Sequence, residues 1–250
     1  MSGHSKWSQI KRQKGAADAK RGQAFTKLGR ELTVAAREGG ADPDGNARLR
    51  QAIQRAREAS MPMDTIDRAI KRATGAGDGA SLEEITYEGY GPGGAAILVQ
   101  ALTDNRNRAV AEIRSAFTRA GGSLGEGGCV AWLFEPRGVI AVERGDQDPD
   151  EVGLLAIDAG AEDVRDEDGL VEVLTRPTDL ENVRTALESK GVKVASAESA
   201  LVPKTMVPLD EKTSAATLRL MERLEELDDV QRVYTNLEIS EAVLQAYDER

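Results

Sequence analysis

The chain has one cysteine and one histidine in 250 residues. A lone Cys129 cannot close an internal disulfide, which suits a reducing compartment. His4 is far from it in sequence, so no histidine pair, zinc-type ligand set or cysteine–histidine nucleophile can be assembled from spacing. Aromatics are also few, three Phe, two Trp and four Tyr, so the cores must be filled by Ala, Val, Leu and Ile. No run approaches the roughly eighteen apolar residues of a membrane helix. The start, MSGHSKW, carries no apolar stretch after its charges, so neither a membrane span nor a secretory signal is expected, and the expected location is the cytoplasm.

Acidic side chains are abundant but form no recognisable catalytic constellation. The run DQDPDE, residues 146–151, lacks the spacing of an EF-hand loop and reads as a turn with helix-capping carboxylates. GYGPGG, residues 89–94, has no Lys-Ser/Thr ending and precedes a strand, so it is no phosphate-cradling loop. Tyr90 in that turn serves either turn geometry or partner contact. Cys129, in a segment CVAWLFE expected to be a strand, is assigned a structural role. No catalytic residue, cofactor or metal is expected, and the chain is read as non-enzymatic.

What the sequence does have is separated charge. The formal net charge is -10, yet the first thirty residues hold eight Lys or Arg against one Asp. Through residue 75 the balance is still +8, which leaves -18 for the remainder. A phosphate backbone would be drawn to one end only. The candidate contacts there are Lys6, Lys11, Arg12, Lys14, Lys20, Arg21, Lys27 and Arg30, with Trp7 either stacking on a partner or buried against the helical head. A second patch, TDNRNR, places Arg106 and Arg108 at the expected start of a helix, where backbone N–H groups also suit phosphate; Asp104 or Asn105 could instead cap that helix. The alternative to nucleic acid is a basic head that docks on its acidic neighbours.

Periodicity divides the chain into an α+β multidomain protein. Phe25, Leu28, Leu32 and Ala35 or Ala36 form one helical stripe, Leu49, Ile53 and Ala56 a second, and Ile66, Ala69, Ile70 and Ala73 a third, with Pro62 expected in the first turn of the last helix. Residues 1–15 read as an extended basic arm and 73–81 as a glycine-rich hinge. Thereafter strands and helices alternate, and residues 138–200 follow a βαββαβ cycle, the ferredoxin-like order. A final helix within 210–229 and a strand, VQRVYTNLEI, lack partners of their own. The expected division is therefore an arm and three-helix bundle over 1–78, a discontinuous α+β domain over 79–135 plus 204–250, and an inserted ferredoxin-like domain over 136–203.

MSGHSKW, DAKRGQAFTKLGRELTVAAREGG, YEGYGPGG, LTDNRNR and LMERLEELDDVQRVYTN, in that order, closely resemble the YebC/PmpR family, also called the TACO family. The resemblance implies three domains, one inserted in another, and a non-enzymatic nucleic-acid partner; the chain itself is expected to act as a monomer. Family members are described as DNA-binding transcriptional regulators and, in other cases, as translation factors that act at the ribosome and relieve stalling on proline-rich nascent chains. The residue match retains Gly3-His4-Ser5-Lys6-Trp7, Lys20-Arg21-Gly22, Phe25-Thr26-Lys27 and Arg30-Glu31-Leu32, while QIKRQKGAADA departs from any transferable pattern. The physical reading favours structured RNA, because no DNA-reading helix with base-directed Asn or Gln spacing emerges. The DNA-binding description is the more widely applied; a protein-only interaction module is the alternative of another class.

Overall fold

The computed structural model describes residues 6–7, 18–74, 82–143, 148–167 and 170–248. The expected arm, apart from Lys6 and Trp7, and most of the expected hinge lie outside these residues. Three helices come first, α1 (Asp18–Gly39), α2 (Ala47–Glu58) and α3 (Met63–Thr74). One side chain organises the first corner. The Asn46 carbonyl oxygen accepts from the Leu49 N–H at 3.0 Å and caps α2, while its amide donates to the Ala35 and Gly40 carbonyls at 2.8 Å and ties down the end of α1. Gly40, at φ +88°, supplies the left-handed residue that stops α1. Pro62 lies one residue ahead of α3, not inside its first turn, and its carbonyl accepts from the Ile66 N–H. The three stripes meet in a core of Leu32, Ala35, Leu49, Ala56 and Ile66, ringed by half-buried Phe25, Leu28, Ile53 and Ile70. The alanines let short helices approach closely enough to share one core, which none could form alone.

The strands are β1 (Glu83–Tyr90), β2 (Ala96–Thr103), β3 (Ser123–Leu124), β4 (Phe134–Glu143), β5 (Asp163–Glu167), β6 (Leu170–Thr175), β7 (Val194–Pro203) and β8 (Val230–Thr235). The helices among them are α4 (Arg106–Arg119), α5 (Pro149–Asp158), α6 (Leu180–Ser189), α7 (Glu211–Glu225) and α8 (Glu241–Asp248). They make two four-stranded antiparallel sheets, ordered β3-β1-β2-β8 and β5-β6-β4-β7. GYGPGG closes the β1–β2 hairpin. Gly93 sits there at φ +73°, and a Cβ on it would meet Thr213 Cγ2 at 2.6 Å, so only glycine fits between the turn and α7.

AILVQALT, β2, is apolar almost throughout because it is covered on both faces. Ile97 and Val99 join Phe117 of α4 and Leu218, Met221 and Leu224 of α7 on one side. Ala96 and Leu98 meet Val139, Leu174 and Val202 of the second sheet on the other, so the two sheets share a core. The far face of the second sheet, with Ile140, Val142, Val171 and Val173, carries Val152 and Ala156 of α5 and Val183 and Leu187 of α6.

Three local expectations are corrected. CVAWLFE is a strand only in its last two residues: residues 131–133 form a 3-10 turn and β4 begins at Phe134, since the Glu88 carboxylate takes the Val130 and Ala131 N–H groups that a ladder would need. The C-terminal helix α8 was not anticipated, although Ser240 precedes it as a cap and Val243, Leu244 and Tyr247 carry its apolar side. Lys6, expected in an extended solvent-facing arm, is helical and buried, and Trp7, also helical, is buried, one of the two places open to it.

Candidate nucleic-acid interface

Apart from Arg106, the predicted contact residues divide into three groups. Lys11, Arg12 and Lys14 lie outside the described residues, as do the side chains of Lys20 and Arg21, whose backbones belong to the start of α1. Lys6 and Trp7 are withdrawn from solvent. Trp7 is 1% exposed, its indole N–H donates to the Glu225 carboxylate at 3.1 Å, and its ring meets Tyr247 edge-on at 5.8 Å between centroids. It therefore packs under α7 and α8 of the first sheet, and not against the helical head.

Lys27, Arg30 and Arg108 form the third group, which docks the head on the body. The Lys27 ammonium donates to the Glu225 carbonyl and Gln23 to the Glu226 carbonyl, at the end of α7 where backbone carbonyls point outward and the helix dipole is negative. Arg30 Nη1 donates to the Asp228 carbonyl and to Asp229 Oδ1, both at 2.7 Å. From the other side Arg108 Nη2 reaches Asp229 Oδ1 and Oδ2 at 3.0 and 2.9 Å, and the Thr103 hydroxyl donates to Oδ2 at 2.9 Å. Asp229 is 2% exposed and reads as the carboxylate around which the head, β2 and α4 are assembled. Hydrogen bonds to Asp229 and Asp104 raise the proton affinity of Arg108, and the Arg108 guanidinium holds Asp104 below the usual carboxylate range. Asn105 caps α4 by accepting from the Arg108 N–H at 3.0 Å. Arg106 alone of the TDNRNR arginines projects outward, with its nearest carboxylate, Glu83, at 3.8 Å.

Three arginines that the sequence reading passed over line a cleft of about 460 Å³ between α1 and α3. Arg37, Arg68 and Arg72 are exposed along it, Arg30 stands at its inner wall, and Asp104 is the one carboxylate among its lining residues. Arg68 is steadied by its own helix, donating to the Asp64 carbonyl at 2.9 Å and the Thr65 hydroxyl at 3.3 Å. Arg37 and Arg72 make no hydrogen bond or ion pair among the described residues. The signal for them was the four-residue spacing of Arg68 and Arg72 and the seven-residue spacing of Arg30 and Arg37, which put each pair on one helical face.

A second cavity, about 350 Å³, sits where the head and both sheets converge, and four of its five charged lining residues are in ion pairs, while Arg232 donates to the Ser199 carbonyl. Arg55 pairs with Glu31, and Arg48 with Glu38 and Glu84 at 2.6 and 2.8 Å. Burial pushes the Glu31 carboxyl above its ordinary range against the pull of Arg232 and Arg48. That cavity reads as an internal junction; the arginine cleft is the surface with cationic capacity to spare.

The N-terminal domain model of the TACO1/YebC proteins matches residues 5–76, and the model of their second and third domains matches 82–237. The chain belongs to the YebC/TACO1 family. Relatives include a "Probable transcriptional regulatory protein" of Desulfosudis oleivorans, 56% identical over 98% of this chain and 100% of that protein. Another of the same description, from Herpetosiphon aurantiacus, is 54% identical over the full length of both. Among solved structures, a conserved hypothetical protein from Aquifex aeolicus superposes with a TM-score of 0.81 at 46% identity, over 90% of this chain and 93% of that one. That superposition spans the head and both sheets, an α+β arrangement of N-terminal helices and two sheet-containing domains. Among the described residues no helix is long and apolar enough to cross a membrane, and no group of three His, Cys, Asp or Glu could hold a metal ion.

Proposed function

We propose that this protein is a non-enzymatic, nucleic-acid-binding regulator of gene expression that grips phosphate through the arginine cleft between α1 and α3. The observation that carries the reading is the cleft itself. Four guanidinium groups face one carboxylate in a chain of net charge -10, and three of the four are exposed. Guanidinium forks match phosphate oxygens bidentately, and a concave wall lets several act on one backbone. Lys27, Arg30 and Arg108 hold that wall in place and need not touch the partner.

The relatives' description as probable transcriptional regulatory proteins supports transcriptional regulation, here through binding to DNA, as the first form of this reading. Structured RNA at the ribosome is the second, and one observation favours it: the arginines line a hollow between two helices and the start of β1, whereas a DNA reader presents the outward face of one helix to the major groove. The domain limits of 1–78, 79–135 with 204–250, and 136–203, with a ferredoxin-like class for the last, belong to the same reading. They are supported by the strand order β5-β6-β4-β7 and by the return of β8 to β2.

The test is binding across a salt series with the intact chain and its R68Q/R72Q form, which removes two charges and leaves a polar side chain at each position. Two lost phosphate contacts should lower affinity and reduce the slope of log K against log salt by roughly two. Equal affinity and equal slope in the two proteins would remove the cleft from the interface. Crosslinking in cells separates the targets: promoter DNA without rRNA would select the first form, rRNA the second.

A further inference from the structure

The chain has two tryptophans, and the fold treats them oppositely: Trp7 is 1% exposed and Trp132 66%. An indole left in water forgoes the burial that ordinarily stabilises it by a few kcal/mol. Trp132 is nevertheless held in one orientation. Its ring N–H donates to the Cys129 carbonyl at 3.1 Å, and the hydroxyl of Tyr90, itself 38% exposed, donates to that same oxygen at 3.1 Å. Two exposed rings are thus pinned on one carbonyl.

The loop that carries them is built from inside. Glu88, 6% exposed, accepts the Gly128 N–H at 2.6 Å and the Val130 and Ala131 N–H groups at 2.7 Å. Gly125 lies so close to Cys129 that a Cβ would meet Sγ at 2.6 Å, and Gly128 takes φ +89°. The Lys204 ammonium donates to the Trp132 carbonyl at 3.0 Å. A buried carboxylate with three donors is costly machinery for a surface loop unless the loop's geometry is itself used.

We infer that Tyr90 and Trp132 form a stacking platform for the unpaired bases of a single-stranded nucleic acid. The occupant follows from the chemistry: flat, rigid, exposed rings with a tethered ammonium beside them match a base and its phosphate, and stacking accepts any base because each has a π-face. This inference rests on the proposed nucleic-acid function and extends its footprint. The cleft lies at the Leu82 end of β1 and the platform at the Tyr90 end, about 24 Å away at 3.4 Å per residue, so one strand of a dozen nucleotides can span both.

The two tryptophans make the test direct. Buried Trp7 gives a constant background, and Trp132 reports the platform. Titrating the full chain with a twelve-nucleotide oligouridylate should quench Trp132 emission. Trp132→Ala should abolish the quench and weaken binding roughly tenfold or more, while Trp132→Phe keeps most of the affinity and affinity for a fully paired RNA duplex stays unchanged. Tyr90→Phe, which loses the anchor and keeps the ring, should show a smaller loss. A wild-type chain that binds the strand without quenching, or a Trp132→Ala form of unchanged affinity, would overturn the platform and leave the cleft standing. If R68Q/R72Q loses the duplex but Trp132 still answers to the strand, the platform stands and the footprint divides. Absence of any nucleic-acid binding would overturn both. A shift of Trp132 emission with protein concentration alone would assign the rings to a second copy of the chain and overturn the inference.

Discussion

Replacing Asp229 should undock the helical head. Its carboxylate, 2% exposed, accepts from Thr103, Arg30 and Arg108, and among the described residues no other side chain joins α1, β2 and α4 in this way. Removing one partner of a buried ion pair costs about 3–5 kcal/mol, chiefly because the other charge is left uncompensated. Here the Arg30 and Arg108 side chains are 23% and 42% exposed, so water can reach both after the loss. The lower end, about 3 kcal/mol, is therefore expected for Asp229→Ala. For a chain of this size that is a Tm fall of roughly 6–12 °C. Asp229→Asn keeps the shape and one acceptor and should cost less, about 1–2 kcal/mol. The assay is urea unfolding followed by two signals, because several domains need not unfold together. Trp7 emission reports the packing under α7 and α8, and far-ultraviolet circular dichroism reports all the helices. If Asp229 works by docking, Arg30→Ala and Asp229→Ala should be coupled by about 1 kcal/mol or more in a double-mutant cycle. Additive effects, or an Asp229→Ala chain within about 0.5 kcal/mol of the parent, would refute the docking role.

Two further outcomes follow from local geometry. Gly89→Ala places a Cβ 2.5 Å from the Ser123 carbonyl oxygen and 2.8 Å from the Phe117 ring, so it should cost about 1–3 kcal/mol and detach β3, visible as faster amide exchange at Ser123 and Leu124; unchanged exchange would contradict the packing. At Glu88, burial would raise the carboxyl pKa, but three backbone N–H donors outweigh it and the net shift is downward. A lowered folded pKa means stability that is present above the unfolded value and is lost as pH falls through the folded one. Glu88→Gln should therefore flatten the acid limb of the stability curve and broaden Trp132 emission at neutral pH, and an acid limb parallel to the parent's would exclude Glu88 as its source.

The helices of the head were legible because their apolar spacing is a property of each segment alone: Leu32, Leu49 and Ile66 fall on the stripes that bury them. The β1, β2, β6 and β8 segments were equally plain in their runs of β-branched and aromatic residues. Legibility failed where a distant group intervened. CVAWLFE has strand composition, yet Glu88, about forty residues away, takes the Val130 and Ala131 N–H groups and turns its first five residues into a loop with an exposed indole. Helix α8 is short, and its apolar side becomes meaningful only against Trp7 and α7.

The same division runs through the candidate interface. That the basic end should meet the partner is a statement about summed charge, and summed charge is written in the residues themselves. Which cations remain available is not, because a guanidinium is spent or free according to what folding brings beside it. Asp229 arrives from the far end of the chain to engage Arg30 and Arg108, α7 ends where Lys27 can reach its carbonyls, and Trp7 is drawn beneath α8. Arg37, Arg68 and Arg72, unremarkable in sequence, are left facing an open cleft. Charge and periodicity are local and additive; docking is neither, and it decided the site.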